Sequence, residues 1–175
     1  MIKGGEFLIK DQESKDIFIP EEFTEEQNMM ASATTDFVEK ELDPHRERFE
    51  KKDYKLTEDC MKKAGELGLL GIGIPTKYGG MGMPFNTSIL ICDKISGANG
   101  SFSTAFGAHT GIGTLPILLY GDNIQKAKYL PKLATGEWMG CYCLTEPGAG
   151  SDANAGKTKA VLSKDGKYYL SLIHI

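Results

Sequence analysis

The residues best suited to chemistry lie in one stretch, Cys143-Leu144-Thr145-Glu146-Pro147-Gly148-Ala149-Gly150-Ser151-Asp152-Ala153. A short apolar run leads into a turn with two glycines and a Ser-Asp pair. Without Cβ atoms at the glycines, backbone amides can come close to a flat or anionic ligand. The stretch is no Rossmann fingerprint, because it lacks the third glycine and the βαβ setting. It is no P-loop either, because no Gly-Lys-Ser/Thr follows. Gly, Pro and Asp also build ordinary surface turns. On residue types alone, a ligand cradle and a plain turn both stand. Glu146 and Asp152 read as capping and turn-holding acids rather than acid–base catalysts.

The other reactive side chains point to less. Cys60, Cys92, Cys141 and Cys143 show no paired metal spacing, and His45, His109 and His174 are scattered, so no metal site is expected. Cys141 and Cys143 flank Tyr142 in an apolar run and would share one face of a strand as buried, reduced thiols. His109 has the chemistry of a general base. It sits in an apolar helical stretch, however, where a core or tunnel-lining position is expected.

The elements that must position these groups fall into two blocks. Thr24-Glu25-Glu26-Gln27 is a capping box, and Met30, Ala33, Phe37, Val38 and Leu42 follow at helical spacing up to Pro44. A second helix is expected from Thr57, with Glu58 and Asp59 in its first turn and a Leu56–Met61 staple, running toward Leu69 and Leu70. Residues 71–84 form a glycine-rich connector. Asn86 is positioned to cap a third helix. The apolar stretch 101–120, broken by Gly111, Gly113 and Pro116, predicts a helix pair or a kinked helix whose aromatic residues, like Trp138, belong to the core. Asp122 or Asn123 caps a short helix with Lys126, Lys128 and Lys132 on a solvated face. The pattern then changes: Trp138–Leu144 reads as a strand, and residues 157–162 and 168–170 as a hairpin around Ser163–Lys167. A helical block followed by strands is α+β.

Composition bounds the rest. Of 175 residues, 41% are hydrophobic and 25% charged, as in a soluble globular protein. Twenty basic against 24 acidic side chains give a net charge of −4, which argues against a nucleic-acid binder. No run approaches the ~20 apolar residues of an integral membrane segment. The N-terminal residues lack the apolar or Arg-rich patterns of a leader, so a cytoplasmic protein is expected.

Several motifs in order resemble one family. Cys143 to Asp152 is similar to the flavin-contacting segment of acyl-CoA dehydrogenases. Leu67-Gly68-Leu69-Leu70-Gly71-Ile72 with Pro75 and Tyr78-Gly79-Gly80, then Gly107-Ala108-His109, Tyr120-Gly121 and Lys128 to Glu137, resemble that family's approach to it. The last of these, with Gly166-Lys167-Tyr168-Tyr169, is most similar to the very-long-chain branch. The resemblance implies residues 1–17 as an N-terminal extension, 18–136 as an all-α N-terminal domain, and 137–169 as the first strands of a truncated middle β-barrel domain. It implies FAD as cofactor, with the Tyr142, Cys143 and Leu144 backbone, the Thr145 hydroxyl, Gly150 and Ser151 at the flavin, and Ser151 also at the acyl-CoA. The implied reaction is α,β-dehydrogenation of a fatty acyl-CoA in β-oxidation: a carboxylate takes the α-proton while a hydride passes to flavin N5. The implied partners are an electron-transferring flavoprotein and further copies in a homo-oligomer. The lysines of 126–132 gain a second reading as a CoA-phosphate contact.

The resemblance also has gaps. Thr76 stands where the family often carries an acid. No acid here matches the family's catalytic carboxylate, which lies far downstream, so residues 1–175 alone are expected to be inactive. Leu170 to Ile175 depart from the family and resemble a translated adapter, a non-native tail. An acyl-CoA oxidase or flavin monooxygenase on the same scaffold, or a non-catalytic helical interaction module, remains as an alternative.

Overall fold

A computed structural model describes residues 4–167 and 169–172. The chain divides into two compact units, Met1–Gly140 and Cys141–Ile175.

In the first unit, short 3-10 turns precede α1 (Glu25–Phe37). The expected capping box forms: Gln27 N donates to Thr24 Oγ1 at 3.2 Å, and Thr24 N donates to Gln27 Oε1 at 2.9 Å. The Gln27 amide also donates to Asn86 Oδ1 at 3.1 Å and Thr87 Oγ1 at 2.7 Å. One cap residue thereby fastens the start of α1 to α4 (Phe85–Ser96). A wide turn, Val38–Leu42, and a 3-10 turn, Asp43–His45, finish α1 at Pro44 as expected. The short α2 (Arg46–Glu50) follows.

Two helix starts differ from the sequence reading. Helix α3 spans Tyr54–Glu66 and is capped by Asp53, before the expected Thr57. The Asp53 carboxylate accepts Leu56 N at 3.0 Å and Arg48 Nη2 at 2.7 Å. The Leu56 amide, then Arg48, hold its carboxyl below the usual carboxylate range. Helix α4 begins directly after Pro84, and Asn86 does not cap it; its side chain is committed to Gln27 instead.

The glycine-rich connector folds back on itself. Met81 N reaches Gly71 O at 2.9 Å, Gly82 N reaches Ile74 O at 2.9 Å, and Met83 N reaches Ile72 O at 2.8 Å. The apolar stretch beyond it is kinked as expected. It comprises α5 (Gly100–Ala108), a wide π-type turn at His109–Gly113, and α6 (Leu115–Tyr120). Helix α7 (Asn123–Ala134) carries a second capping box, with Gln125 N on Asp122 Oδ1 at 2.8 Å.

The core centres on Phe102, fully buried, whose ring lies 6.0 Å from that of Phe37 and 5.9 Å from that of Phe49. The contacts join α5 to α1 and α2. Leu56, Cys60, Met61 and Ala64 from α3 and Ile91 and Ile95 from α4 extend the same cluster. Ile74, Leu130, Leu133 and Ala134 form a second one. Trp138, expected in the core, is 38% exposed, with the Lys132 ammonium 4.4 Å from its ring centroid.

In the second unit, β1 (Lys159–Leu162) pairs antiparallel with β2 (Tyr169–Leu172), Leu162 opposite Tyr169 and Lys159 opposite Leu172. The turn between them has Gly166 at φ +71°, and Asp165 Oδ1 accepts the Ser163 hydroxyl at 2.6 Å. Tyr168 of the expected return strand, and Ile173 to Ile175 of the expected tail, lie outside the described residues. Helices followed by strands match the α+β expectation. The expected strand over 138–144 is absent. Alternation alone does not make a strand; a ladder needs a partner, and β1 and β2 pair with each other.

Truncating Phe102→Ala should cost the helical unit about 3–5 kcal/mol. Thr24→Ala should cost about 1 kcal/mol. Urea unfolding followed by circular dichroism separates the two.

Candidate functional site

The turn at the centre of the conspicuous stretch is closed by a reciprocal pair. Glu146 N donates to Ala149 O and Ala149 N to Glu146 O, both at 3.1 Å. The Glu146 side chain then secures the following segment. Its carboxylate accepts Lys157 N at 2.7 Å, Thr158 N at 2.9 Å and the Thr158 hydroxyl at 2.5 Å. Asp152 Oδ1 accepts Asn154 N at 3.2 Å and caps the 3-10 turn Ala153–Ala155. Both acids hold turns, as the sequence suggested. Glu137 is engaged with Lys132 Nζ at 2.7 Å.

The remaining residues of the stretch are open. Tyr142, Cys143, Leu144, Thr145, Gly150 and Ser151 are all exposed. Among the described residues, no hydrogen bond engages the Thr145 or Ser151 hydroxyl, and no backbone bond engages residues 142–145. A Cβ built on Gly148 or Gly150 would meet no atom within 4 Å, and neither glycine has positive φ. Neither conformation nor packing within the chain demands glycine at these two positions. The expected site residues, neighbours in the sequence, are all accessible.

The cysteines correct one expectation. Cys60 is buried, and burial pushes its thiol up; Cys92 is half-buried. Cys141 and Cys143 are free and exposed rather than buried, because no sheet forms over that segment to cover them. Among the described residues, no cluster of His, Cys, Asp and Glu could hold a metal ion.

His109 is a core residue. It is fully buried, and both ring nitrogens meet backbone: Nε2 lies 2.9 Å from Leu133 O, and Gly140 N donates to Nδ1 at 2.9 Å. An N–H only donates, so Nδ1 is bare and Nε2 carries the proton. Burial, opposed by the Leu133 carbonyl, holds the imidazole below its ordinary pKa. A base with both nitrogens occupied is not poised to abstract a substrate proton. The helical unit also holds an apolar cavity, whose lining residues the sequence did not identify. It measures about 360 Å³ and lies among Leu70, Ile74, Met83, Phe106, Gly107 and Leu118. Among the described residues, no helix is long and apolar enough to cross a membrane.

Comparisons with known proteins agree on one family. Residues 24–137 match the acyl-CoA dehydrogenase N-terminal domain. A probable acyl-CoA dehydrogenase of Bacillus subtilis (strain 168) is 49% identical over 168 residues, covering 96% of this chain and 28% of that protein. The mitochondrial very long-chain specific acyl-CoA dehydrogenase of Rattus norvegicus is 42% identical over 116 residues, covering 66% of this chain and 18% of that protein. The crystal structure of an acyl-CoA dehydrogenase complexed with FAD from Bacillus anthracis superposes with a TM-score of 0.91 at 46% identity, covering 98% of this chain and 29% of that one. The chain thus spans under a third of each of these relatives.

Replacing Glu146→Ala should free the Lys157 and Thr158 amides to exchange with solvent, with the helical unit's melting temperature unchanged. Amide exchange by NMR reads both. For His109, the folded-state pKa lies below the unfolded value, so protonation favours the unfolded chain. Its contribution is complete above about pH 6.5 and is lost as pH falls toward the folded pKa, at about 1.4 kcal/mol per pH unit. Unfolding free energies from urea titrations should be level from pH 8 to about 6.5 and decline below it, and His109→Gln should flatten the decline.

Proposed function

The chain belongs to the acyl-CoA dehydrogenase family, and from that membership we propose that it forms the flavin-side portion of an FAD-dependent enzyme oxidising fatty acyl-CoA thioesters between Cα and Cβ. The observation that carries the proposal is the stretch 142–151. It retains open amides, two unengaged hydroxyls and two glycines that the fold itself does not require. Backbone groups of Tyr142, Cys143 and Leu144 and the Thr145 hydroxyl would hold the flavin. Gly150 would leave room for it, and Ser151 would contact both cofactor and substrate. Fixed donors of this kind stabilise charge developing on a ligand without reorganising. FAD, when bound, supplies the hydride acceptor.

The α-proton goes to a carboxylate outside residues 1–175. Glu137, Glu146 and Asp152 support this reading, since each is already engaged in holding the chain. Residues 18–136 then serve as the N-terminal helical domain and 137–169 as the opening of the middle β-domain. The apolar cavity supports a substrate with a hydrocarbon tail. In the whole protein we expect a homo-oligomer that passes electrons to an electron-transferring flavoprotein, in the cytoplasm.

The full-length protein carrying this chain should purify yellow and bleach anaerobically with a fatty acyl-CoA. Slow re-oxidation in air would support a dehydrogenase over an oxidase, and a colourless protein that takes up no added FAD would falsify the reading. Gly150→Val should abolish flavin retention with the melting temperature unchanged, because its side chain enters open space. Residues 1–175 alone should show no turnover with an artificial electron acceptor.

A further inference from the structure

The last residue of the helical unit is held by an unusual arrangement. Gly140 N donates to His109 Nδ1 at 2.9 Å. Gly140 also lies so close to the wide turn after α5 that a Cβ there would meet Gly113 C and Cα at 3.1 Å. On the other side of the ring, Nε2 holds Leu133 O near the end of α7. The segment between α7 and Gly140 is itself directed back by Gly136 at φ +74° and by Trp138 N on Lys132 O at 3.1 Å. The imidazole is thus clamped between the end of one helix and the residue that precedes Cys141.

We propose that His109 is a positioning residue whose ring pins Gly140 and so fixes the point from which the Cys141–Ser151 stretch departs. The consequence for cofactor binding rests on the flavin reading above; the pin itself does not. The geometry makes the pin conditional on charge. A ring protonated on both nitrogens has no lone pair for the Gly140 amide, so protonation opens the Gly140 side and leaves the Leu133 side intact. The packed elements bring Tyr120 on α6, Lys126, Lys128, Tyr129 and Lys132 on α7, and Glu137 beyond it. Helix α5 and the turn Leu69–Gly71 bring no titratable group. None of those side chains acts on the ring; burial acts first and the Leu133 carbonyl second.

Two isosteric replacements separate the two bonds. In His109→Asn, the amide oxygen stands near the place of Nδ1 and accepts from Gly140 without titrating. In His109→Gln, the amide nitrogen reaches toward Leu133 O, and the Gly140 acceptor is lost. Amide exchange at Gly140, followed by NMR in the 175-residue chain and corrected for intrinsic rates, reads the pin directly. In the wild type, protection should fall by about tenfold per pH unit once the ring titrates. His109→Asn should stay protected at every pH, and His109→Gln should be unprotected throughout. Ring ¹⁵N shifts of the wild type give a readout that needs no variant: the proton should sit on Nε2. A proton on Nδ1, or unchanged Gly140 protection in a folded His109→Gln, overturns the pin.

Retention of FAD by the full-length protein tests the consequence. His109→Gln should weaken it several-fold, and His109→Asn should restore it. Gly140 released without any change in FAD affinity would overturn the positioning role. Failure of the wild type to bind FAD would instead overturn the flavin reading, with Gly140 exchange still deciding the pin.

Discussion

Helices α1 to α5 depend on burial of the Phe102 ring and the residues around it, while α6 and α7 pack on the second cluster. Helix α5 has nine residues and α2 has five, lengths at which an isolated helix is unstable in water because nucleation is not recovered. Phe49 is the one buried residue of α2, and its ring meets Phe102. Helix α1 meets the same ring through Phe37. Each such side chain contributes about 1.5–3 kcal/mol when removed from water, comparable with the propensity deficit of a short helix. The apolar contact therefore sets where these helices can exist, and capping sets only where they begin.

Packing short helices around one aromatic centre requires two wide turns, at Val38–Leu42 and His109–Gly113. Wide turns disturb the regular bonding of carbonyls, and buried or half-buried threonine hydroxyls in and beside them bond to backbone carbonyls. Thr34 Oγ1 donates to Met30 O at 2.8 Å, Thr110 Oγ1 to Phe106 O at 2.9 Å, and Thr114 Oγ1 to His109 O at 2.6 Å. Among the described residues, no buried side-chain nitrogen or oxygen lacks a partner. An orphaned buried polar group costs about 1–3 kcal/mol, so these bonds allow the core to contain threonine and histidine. His109 follows the same rule as the threonines; its ring is tolerated because two backbone groups meet it.

Local rules were legible in the sequence, and non-local ones were not. Thr24 with Gln27, and Asp122 with Gln125, could be read because donor and acceptor lie three residues apart. The kink after α5 could be read from Gly111, Gly113 and Pro116. The cap at Asp53 was hidden among lysines, and Asn86 was misread because its partner is Gln27, far away in the chain. The strand expected over 138–144 failed for the same reason. Its alternation was real, but a strand is a property of a pair. Glu146 was legible as a turn-holding acid, whereas its amide partners at 157 and 158 were not.

The glycines carry this distinction into the site. At Gly65 and Gly80 an added Cβ would sit 2.1 Å from a carbonyl oxygen, of Thr135 and of Ile74. Those glycines answer to the chain's own packing. At Gly148 and Gly150 an added Cβ would touch nothing, and φ lies in the range open to any residue. Propensity for a turn explains one small residue there more readily than two flanking Ala149 beside unengaged hydroxyls. In the helical unit Gly65 and Gly80 answer to burial, whereas Gly148 and Gly150 lie in open space. Within the first unit, the placement of its last residue depends on one hydrogen bond, from Gly140 N to a ring nitrogen whose lone pair protonation would remove.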